Sequence, residues 1–169
     1  MRKSTRRISL AAVVSLASAA LVGCGTKTVG SGDVDATDVG PCASLVANEC
    51  LLRVHVNHCD RLNGIVVTPA TVQVPRPASG SAPNPRLMVW KIQTNGFEFA
   101  NDGISNIRVR SSGALPPPGE FVNLPSPSPD EFRILNKNSS STVYKYDVRV
   151  VDVRGVSCKI LDPFIKNQN

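Results

Sequence analysis

The stretch TVYKYDVRVVDV, residues 142–153, decides the fold class of this chain. Apolar or aromatic side chains occupy every second position from Tyr144 to Val150, and Lys, Asp and Arg fill the positions between them. A period of two is typical of a β-strand with one buried face. We therefore expect a long strand here, with its tyrosines in the core.

Shorter stretches with strand character precede it, separated by Pro, Gly and Asn. They cover residues 52–57, 65–67, 71–74, 88–92, 97–99, 104–110 and 132–135. No stretch of ten or more residues has a helical period. Proline-rich segments at 75–85, 116–118 and 125–129 fit loops or sheet edges. This pattern predicts an all-β chain folded as a two-sheet β-sandwich.

Two turn signals make the prediction more specific. Asn95-Gly96 lies between two alternating runs, which is the strongest short signal for a β-hairpin. Arg154-Gly155 is expected to turn the long strand into a final one, with Val156, Cys158 and Ile160 on a single face.

Three segments carry a resemblance to a known group of proteins. They are RLMVWKIQTNGFEFANDGI at 86–104, FRILNKNSSSTVYKYDVRVVD at 132–152 and CKILDPFIKN at 158–167. Together they resemble small uncharacterised exported proteins of Gram-negative bacteria, over roughly residues 50–168. The resemblance implies an immunoglobulin-like or cupredoxin-like sandwich and is nearly silent on activity.

The N-terminus resembles the signal of a bacterial lipoprotein. Four basic residues within the first seven are followed by an apolar run from Ile8 to Val22. The end of this run forms the motif Leu21-Val22-Gly23-Cys24. The run is shorter than the ~20 residues of a spanning helix. In lipoproteins this lipobox marks cleavage before a cysteine that becomes acylated. We therefore expect a signal peptide over residues 1–23 and lipidation of Cys24.

The lipid bilayer is then the expected partner, reached through acylated Cys24. Several acyl chains on one cysteine give stable attachment, whereas one chain gives only marginal binding. Gly25, rather than Asp, follows the cysteine, and the family's sorting rule then favours the outer membrane. Residues 24–41 lack periodicity and predict a flexible tether, followed by a sandwich domain over residues 42–169.

Net charge gives no support for nucleic-acid binding. Removing residues 1–23 takes away four basic residues and no acidic ones. The 15 basic residues that remain stand against 13 acidic ones, so the net charge falls from +6 to +2. We expect no nucleic-acid partner for such an exported chain.

Four cysteines follow Cys24, namely Cys42, Cys50, Cys59 and Cys158. An even number in an exported chain predicts two disulfides. If 50–59 is one strand, its two cysteines are too far apart to pair. Either Cys42–Cys50 forms with Cys59–Cys158, which we favour because Cys59 precedes a turn, or Cys42–Cys59 forms with Cys50–Cys158.

The candidate metal ligands are His55, His58 and Cys59. Imidazole and thiolate suit copper or zinc. However, the histidines are three apart on a predicted strand and so point to opposite faces, and Cys59 is better used in a disulfide. We expect no metal and no other cofactor.

Catalytic signals are weak. The chain has no G-x-S-x-G and no H-E-x-x-H motif. Glu98 and Asp102 could form a carboxylate pair, but an outward-facing Glu and a turn-forming Asp beside Gly103 is the simpler interpretation. Trp90, Tyr144 and Tyr146 could line a ligand surface, yet their alternation with polar residues favours core packing.

The sequence thus predicts a membrane-anchored envelope lipoprotein with a non-catalytic binding or structural role, not an enzyme, with an envelope protein as a further partner. The alternative hypothesis is a metal- or redox-handling periplasmic protein that uses His55, His58 and Cys59.

Overall fold

The structure is a computed structural model that describes residues 39–42, 48–75 and 85–168. The predicted signal peptide, Cys24 and the tether as far as residue 38 lie outside the described residues. The described strands are β1 (Val39–Pro41), β2 (Glu49–Val56), β3 (Ile65–Thr68), β4 (Thr71–Val74), β5 (Arg86–Ile92), β6 (Phe97–Val109), β7 (Phe121–Leu124), β8 (Glu131–Asn136), β9 (Val143–Asp152) and β10 (Phe164–Asn167). Within these ranges no helix could cross a membrane.

The ten strands form two mixed sheets of five, so the predicted all-β, two-sheet sandwich is confirmed. Sheet A has the order β1-β4-β10-β9-β6, and sheet B has the order β3-β2-β5-β8-β7. Strands β6 and β7 are therefore edge strands, one in each sheet. Strand β1, which the sequence placed in the tether, pairs parallel with β4 through Val39 and Thr71.

The core lies between the sheets and follows the predicted period of two. In β9 the side chains from Tyr144 to Val150 alternate between buried and half-buried, as expected for a strand with one buried face. Trp90 in β5 is fully buried and packs edge-to-face on Tyr146, with 5.4 Å between ring centroids. The core role predicted for these aromatic residues is confirmed.

The predicted hairpin at Asn95-Gly96 is wrong. Strand β5 pairs with β2 and β8 in sheet B, whereas β6 pairs with β9 in sheet A. Gly96 has a φ of 83°, but Asn95 is not among the residues with positive φ, so the turn is not type I′. The turn instead carries the chain from one sheet to the other.

The predicted final strand is also wrong. Residues 156–161 make only two isolated bridges to β9, at Ser157 and Leu161, and the last strand is β10, between β4 and β9. Val156 and Ile160 are therefore exposed, although they share the parity of the buried Cys158. Parity predicts burial only where a regular ladder holds the backbone, and none forms here.

The disulfides are Cys42–Cys50 and Cys59–Cys158, with Cα–Cα distances of 4.9 and 4.3 Å. This is the pairing that the sequence favoured. Cys59–Cys158 joins the loops 57–64 and 153–160, and we call this end of the sandwich the disulfide end. Strands β2 and β9 finish there, and β6 begins there. The opposite end, with the loops 110–120 and 137–142, is the far end.

Candidate functional site

A groove with a volume of about 470 Å³ lies between the edge strands β6 and β7. Strand β6 supplies Ser105, Ile107 and Arg108, the loop after it supplies Leu115 and Pro116–Pro118, and β7 supplies Phe121. The three prolines have no N–H to extend either sheet, so the loop crosses the gap between the edges without pairing.

The lining of this groove combines apolar and polar side chains. About half of its lining residues are aliphatic, aromatic or proline, and Leu115 among them is 78% exposed. The hydroxyl of Ser105 is buried without a hydrogen-bond partner, and its neighbours in the groove include no histidine to act as its base. The groove can bury apolar surface and offer hydrogen bonds from Ser105, Asn106 and Asn123.

Strand β6 is irregular along this edge. Its pairing with β9 shifts between Phe99 and Ile104 and again between Ser105 and Arg108. Asn106, in the second bulge, has a φ of 49° and donates a 2.6 Å hydrogen bond to Asp147. Bulges of this kind interrupt an exposed strand edge and so discourage pairing with another strand.

Asp102 lies within the first bulge of β6 and not in a turn, so its predicted turn role is wrong. Its carboxylate accepts a hydrogen bond from Arg149 of β9 in an ion pair. Glu98 is exposed and pairs in register with Val151, several residues along the strand. Of these two carboxylates, only Asp102 lines the groove, so they do not form a carboxylate pair there.

A second pair of carboxyl groups, which the sequence analysis missed, lies on the outer face of sheet A. Burial is the largest cause that raises the pKa of Asp147, and the neighbouring Asp162 raises it further, while the hydrogen bond from Asn106 opposes the rise. Asp162 is itself paired with Lys145 at 2.7 Å. The Asp147 carboxyl therefore holds its proton more tightly than a solvated, solitary aspartate does.

A buried polar network at the far end was also missed. Glu120 is 1% exposed, and its carboxylate accepts hydrogen bonds from the backbone N–H of Ser139 at 3.0 Å, from the hydroxyl of Ser139 and from the amide of Asn167 at 3.0 Å. Asn136 donates to Asn167 at 2.8 Å. Because Asn136 ends β8 and Asn167 ends β10, the network ties sheet B to sheet A.

A sequence signal for this network does exist. Asn136 continues the parity of Ile134 in β8, so a polar residue occupies a position on the core-facing side. A buried amide needs hydrogen-bonding partners, and this one therefore indicates a second polar group nearby.

The candidate metal ligands His55, His58 and Cys59 do not form a metal-binding cluster. Cys59 is bonded to Cys158 and so offers no thiolate. His55 is an exposed residue of β2 opposite Val66, and His58 is exposed in the turn that follows. Among the described residues, no group of three or more His, Cys, Asp or Glu side chains is placed to hold a metal ion.

Comparison with family models and with curated proteins returns no match for this chain.

Proposed function

We propose that this protein is an exported envelope lipoprotein, anchored by acylated Cys24, whose β-sandwich has a non-catalytic binding or structural role toward an envelope partner. The observation that carries the proposal is the pairing of the cysteines. The chain has five, and four of them form two disulfides with one another. The fifth is Cys24, the residue that the lipobox marks for acylation.

Disulfides support export because they persist in oxidising compartments such as the bacterial periplasm and are rare in the cytosol. The basic N-terminal segment and the apolar run before Cys24 are the matching export signal. Gly25 after the cysteine favours delivery to the outer membrane.

The non-catalytic part of the proposal is supported by the groove between β6 and β7. Its aliphatic and aromatic residues and its three consecutive prolines suit the contact of surfaces. The metal- or redox-handling alternative has no comparable support, since the sulfur of Cys59 is held by Cys158.

The test is the intact mass of the full chain expressed in a Gram-negative host and purified from its membranes, with alkylation of thiols before and after reduction. We expect the mass of residues 24–169 plus acyl groups, and four alkylated thiols only after reduction. The matched control is Cys24→Ala, which should lose both the acyl groups and the membrane fraction.

An unacylated chain, or thiols that react without reduction, would contradict the proposal. Free thiols at Cys59 and Cys158 would in addition restore the thiolate that the metal-site alternative requires.

A further inference from the structure

The disulfide end carries a concentration of exposed aliphatic side chains. Nine large hydrophobic residues are exposed in the described part of the chain, and four of them lie in the two loops that Cys59–Cys158 joins. These four are Leu62 (65% exposed), Val153 (74%), Val156 (52%) and Ile160 (45%). Scattered apolar residues need no explanation, but a concentration at one end of a domain is typical of an interaction surface.

The two loops are held in this arrangement by several bonds. Beside the disulfide, the backbone N–H of Lys159 donates to the carbonyl of Cys59 at 3.0 Å. The carboxylate of Asp152 accepts hydrogen bonds from the backbone N–H groups of Arg154 and Val156, each at 2.9 Å. The exposed side chains are therefore displayed by a constrained backbone and do not fold back onto the core.

The same loops are basic. They carry Arg61, Arg154 and Lys159 against one acidic residue, Asp60, and all four are exposed. Asp152, at the end of β9, pairs with Arg154 at 2.7 Å. Aliphatic side chains flanked by Lys and Arg fit a bilayer with anionic headgroups, where apolar groups enter the interface and cations stay at its surface.

The direction of β1 is the second observation that bears on this end. Strand β1 runs parallel to β4 and β10 and antiparallel to β9, so its direction is away from the disulfide end. The first residue of β1, from which the sequence leads back to Cys24, is therefore the end of β1 that faces the disulfide end.

The length of the segment between Cys24 and Val39 permits contact with this end. Val39 is level with Lys145 through the pairs Val39–Thr71, Phe164–Thr71 and Phe164–Lys145. Lys145 lies seven residues before the end of β9 at Asp152, or roughly 23 Å along the strand. The 15 residue steps from Cys24 to Val39 can span at most ~50 Å. The chain is long enough for an acyl group on Cys24 to enter a bilayer that touches the disulfide end.

We propose that the disulfide end of the sandwich lies on the bilayer to which Cys24 is anchored. Leu62, Val153, Val156 and Ile160 enter the interface between headgroups and acyl chains, and Arg61, Arg154 and Lys159 face anionic phospholipids. The inference rests on the proposed function for the anchor that holds this end against the membrane. It leaves the far end, and the part of the groove formed by residues 115–121, directed away from the bilayer.

The test uses tryptophan as a depth probe in the full mature lipoprotein, reconstituted into vesicles of phosphatidylethanolamine and phosphatidylglycerol with brominated acyl chains. Trp90 is the only native tryptophan and is fully buried, so a new surface tryptophan supplies the signal that the lipid can quench. Leu62→Trp probes the disulfide end. Leu115→Trp, also strongly exposed but in the loop after β6, is the matched control for the far end.

We expect strong quenching and a blue shift of emission for Leu62→Trp and neither for Leu115→Trp. Reversing the charges of Arg61 and Lys159 to Glu should reduce the quenching of Leu62→Trp severalfold, whereas Lys166→Glu, an exposed residue of β10, should not. Equal quenching of the two tryptophans would overturn the proposal. A dimer of the chain in detergent that buries the new tryptophan of Leu62→Trp would also overturn it, because the surface would then belong to a second copy.

The mass of the same preparations separates this inference from the proposed function. Acylated protein without preferential quenching of Leu62→Trp overturns the docking and leaves the anchor intact. Unacylated protein overturns the anchor, and quenching of Leu62→Trp by added vesicles then decides the docking alone.

Discussion

Trp90 of sheet B donates its indole N–H to the hydroxyl of Tyr146 of sheet A, with 3.0 Å between the nitrogen and the oxygen. Both residues are fully buried. Burial raises the pKa of Tyr146 far above its ordinary value, so the phenol stays protonated and keeps its place as a neutral acceptor. This is a direct polar contact between the two sheets, made by two side chains of the hydrophobic core.

Tyr146→Phe should lower the free energy of unfolding by about 1–3 kcal/mol, because it leaves the buried indole N–H without an acceptor. Urea unfolding measures the loss. Tyr144→Phe is the matched control. Its hydroxyl bonds to Ser140 at 2.8 Å, and Ser140 is only half-buried, so water can replace the lost partner. Equal losses for the two variants would contradict the importance of the Trp90 contact.

Removing the Cys59–Cys158 disulfide should destabilise the domain more than removing Cys42–Cys50. The first closes a sequence separation of 99 residues and the second one of 8. In the chain-entropy model these loops contribute about 4.7 and 2.5 kcal/mol. Urea unfolding of the two double Cys→Ala variants gives the comparison. A larger loss for the variant that lacks Cys42–Cys50 would show that loop entropy does not decide the order.

Glu120→Ala should cost about 3 kcal/mol of unfolding free energy, because the N–H and hydroxyl of Ser139 and the amide of Asn167 lose their acceptor. Glu120→Gln should cost much less, since its carbonyl oxygen still accepts and the Ser139 hydroxyl can rotate to accept from the new amide. Chemical denaturation of both variants tests this, with the exposed Glu98→Ala as the control expected within about 0.5 kcal/mol of the parent. A Glu120→Gln loss as large as that of Glu120→Ala would indicate that the charge itself is required.

Asp147→Asn should make stability less sensitive to pH above about pH 4. The pKa of Asp147 is raised in the folded state, first by burial and then by Asp162. Such a carboxyl favours the folded state below its unfolded pKa, near 3.8, and this contribution is lost as pH rises through the folded pKa. Relative to the parent, the variant should therefore gain stability between pH 4 and pH 7.

Urea midpoints across that range measure the effect, with the exposed Asp60→Asn as control. Asp162, Lys145 and Asn106 face the same carboxyl, and all three stay unchanged in both variants. A constant difference between Asp147→Asn and the parent at every pH would rule out the raised pKa as its cause.

The sequence by itself determined the fold class and much of the core. A period of two fixes which side chains of a strand are buried, so the alternation from Tyr144 to Val150 identified the inner face of β9. Prolines and glycines identified most of the loops for a similarly local reason. Proline has no N–H to donate to a neighbouring strand, and glycine has no side chain to pack on a sheet face. For the disulfides, reach excluded only Cys50–Cys59 and left two pairings open, because these two cysteines lie toward opposite ends of one strand region.

Only the tertiary structure decided which strands are neighbours. Apolar burial is non-directional, so the pattern at 88–99 is satisfied equally by a hairpin and by a crossing between sheets, and the chain crosses at Asn95-Gly96. The position of β10 was likewise not readable from its four residues. Its place in sheet A is set by its neighbours, β4 and β9. Glu120, Asn136 and Asn167 come from three separate segments, and hydrogen bonds among them exist only once both sheets have met.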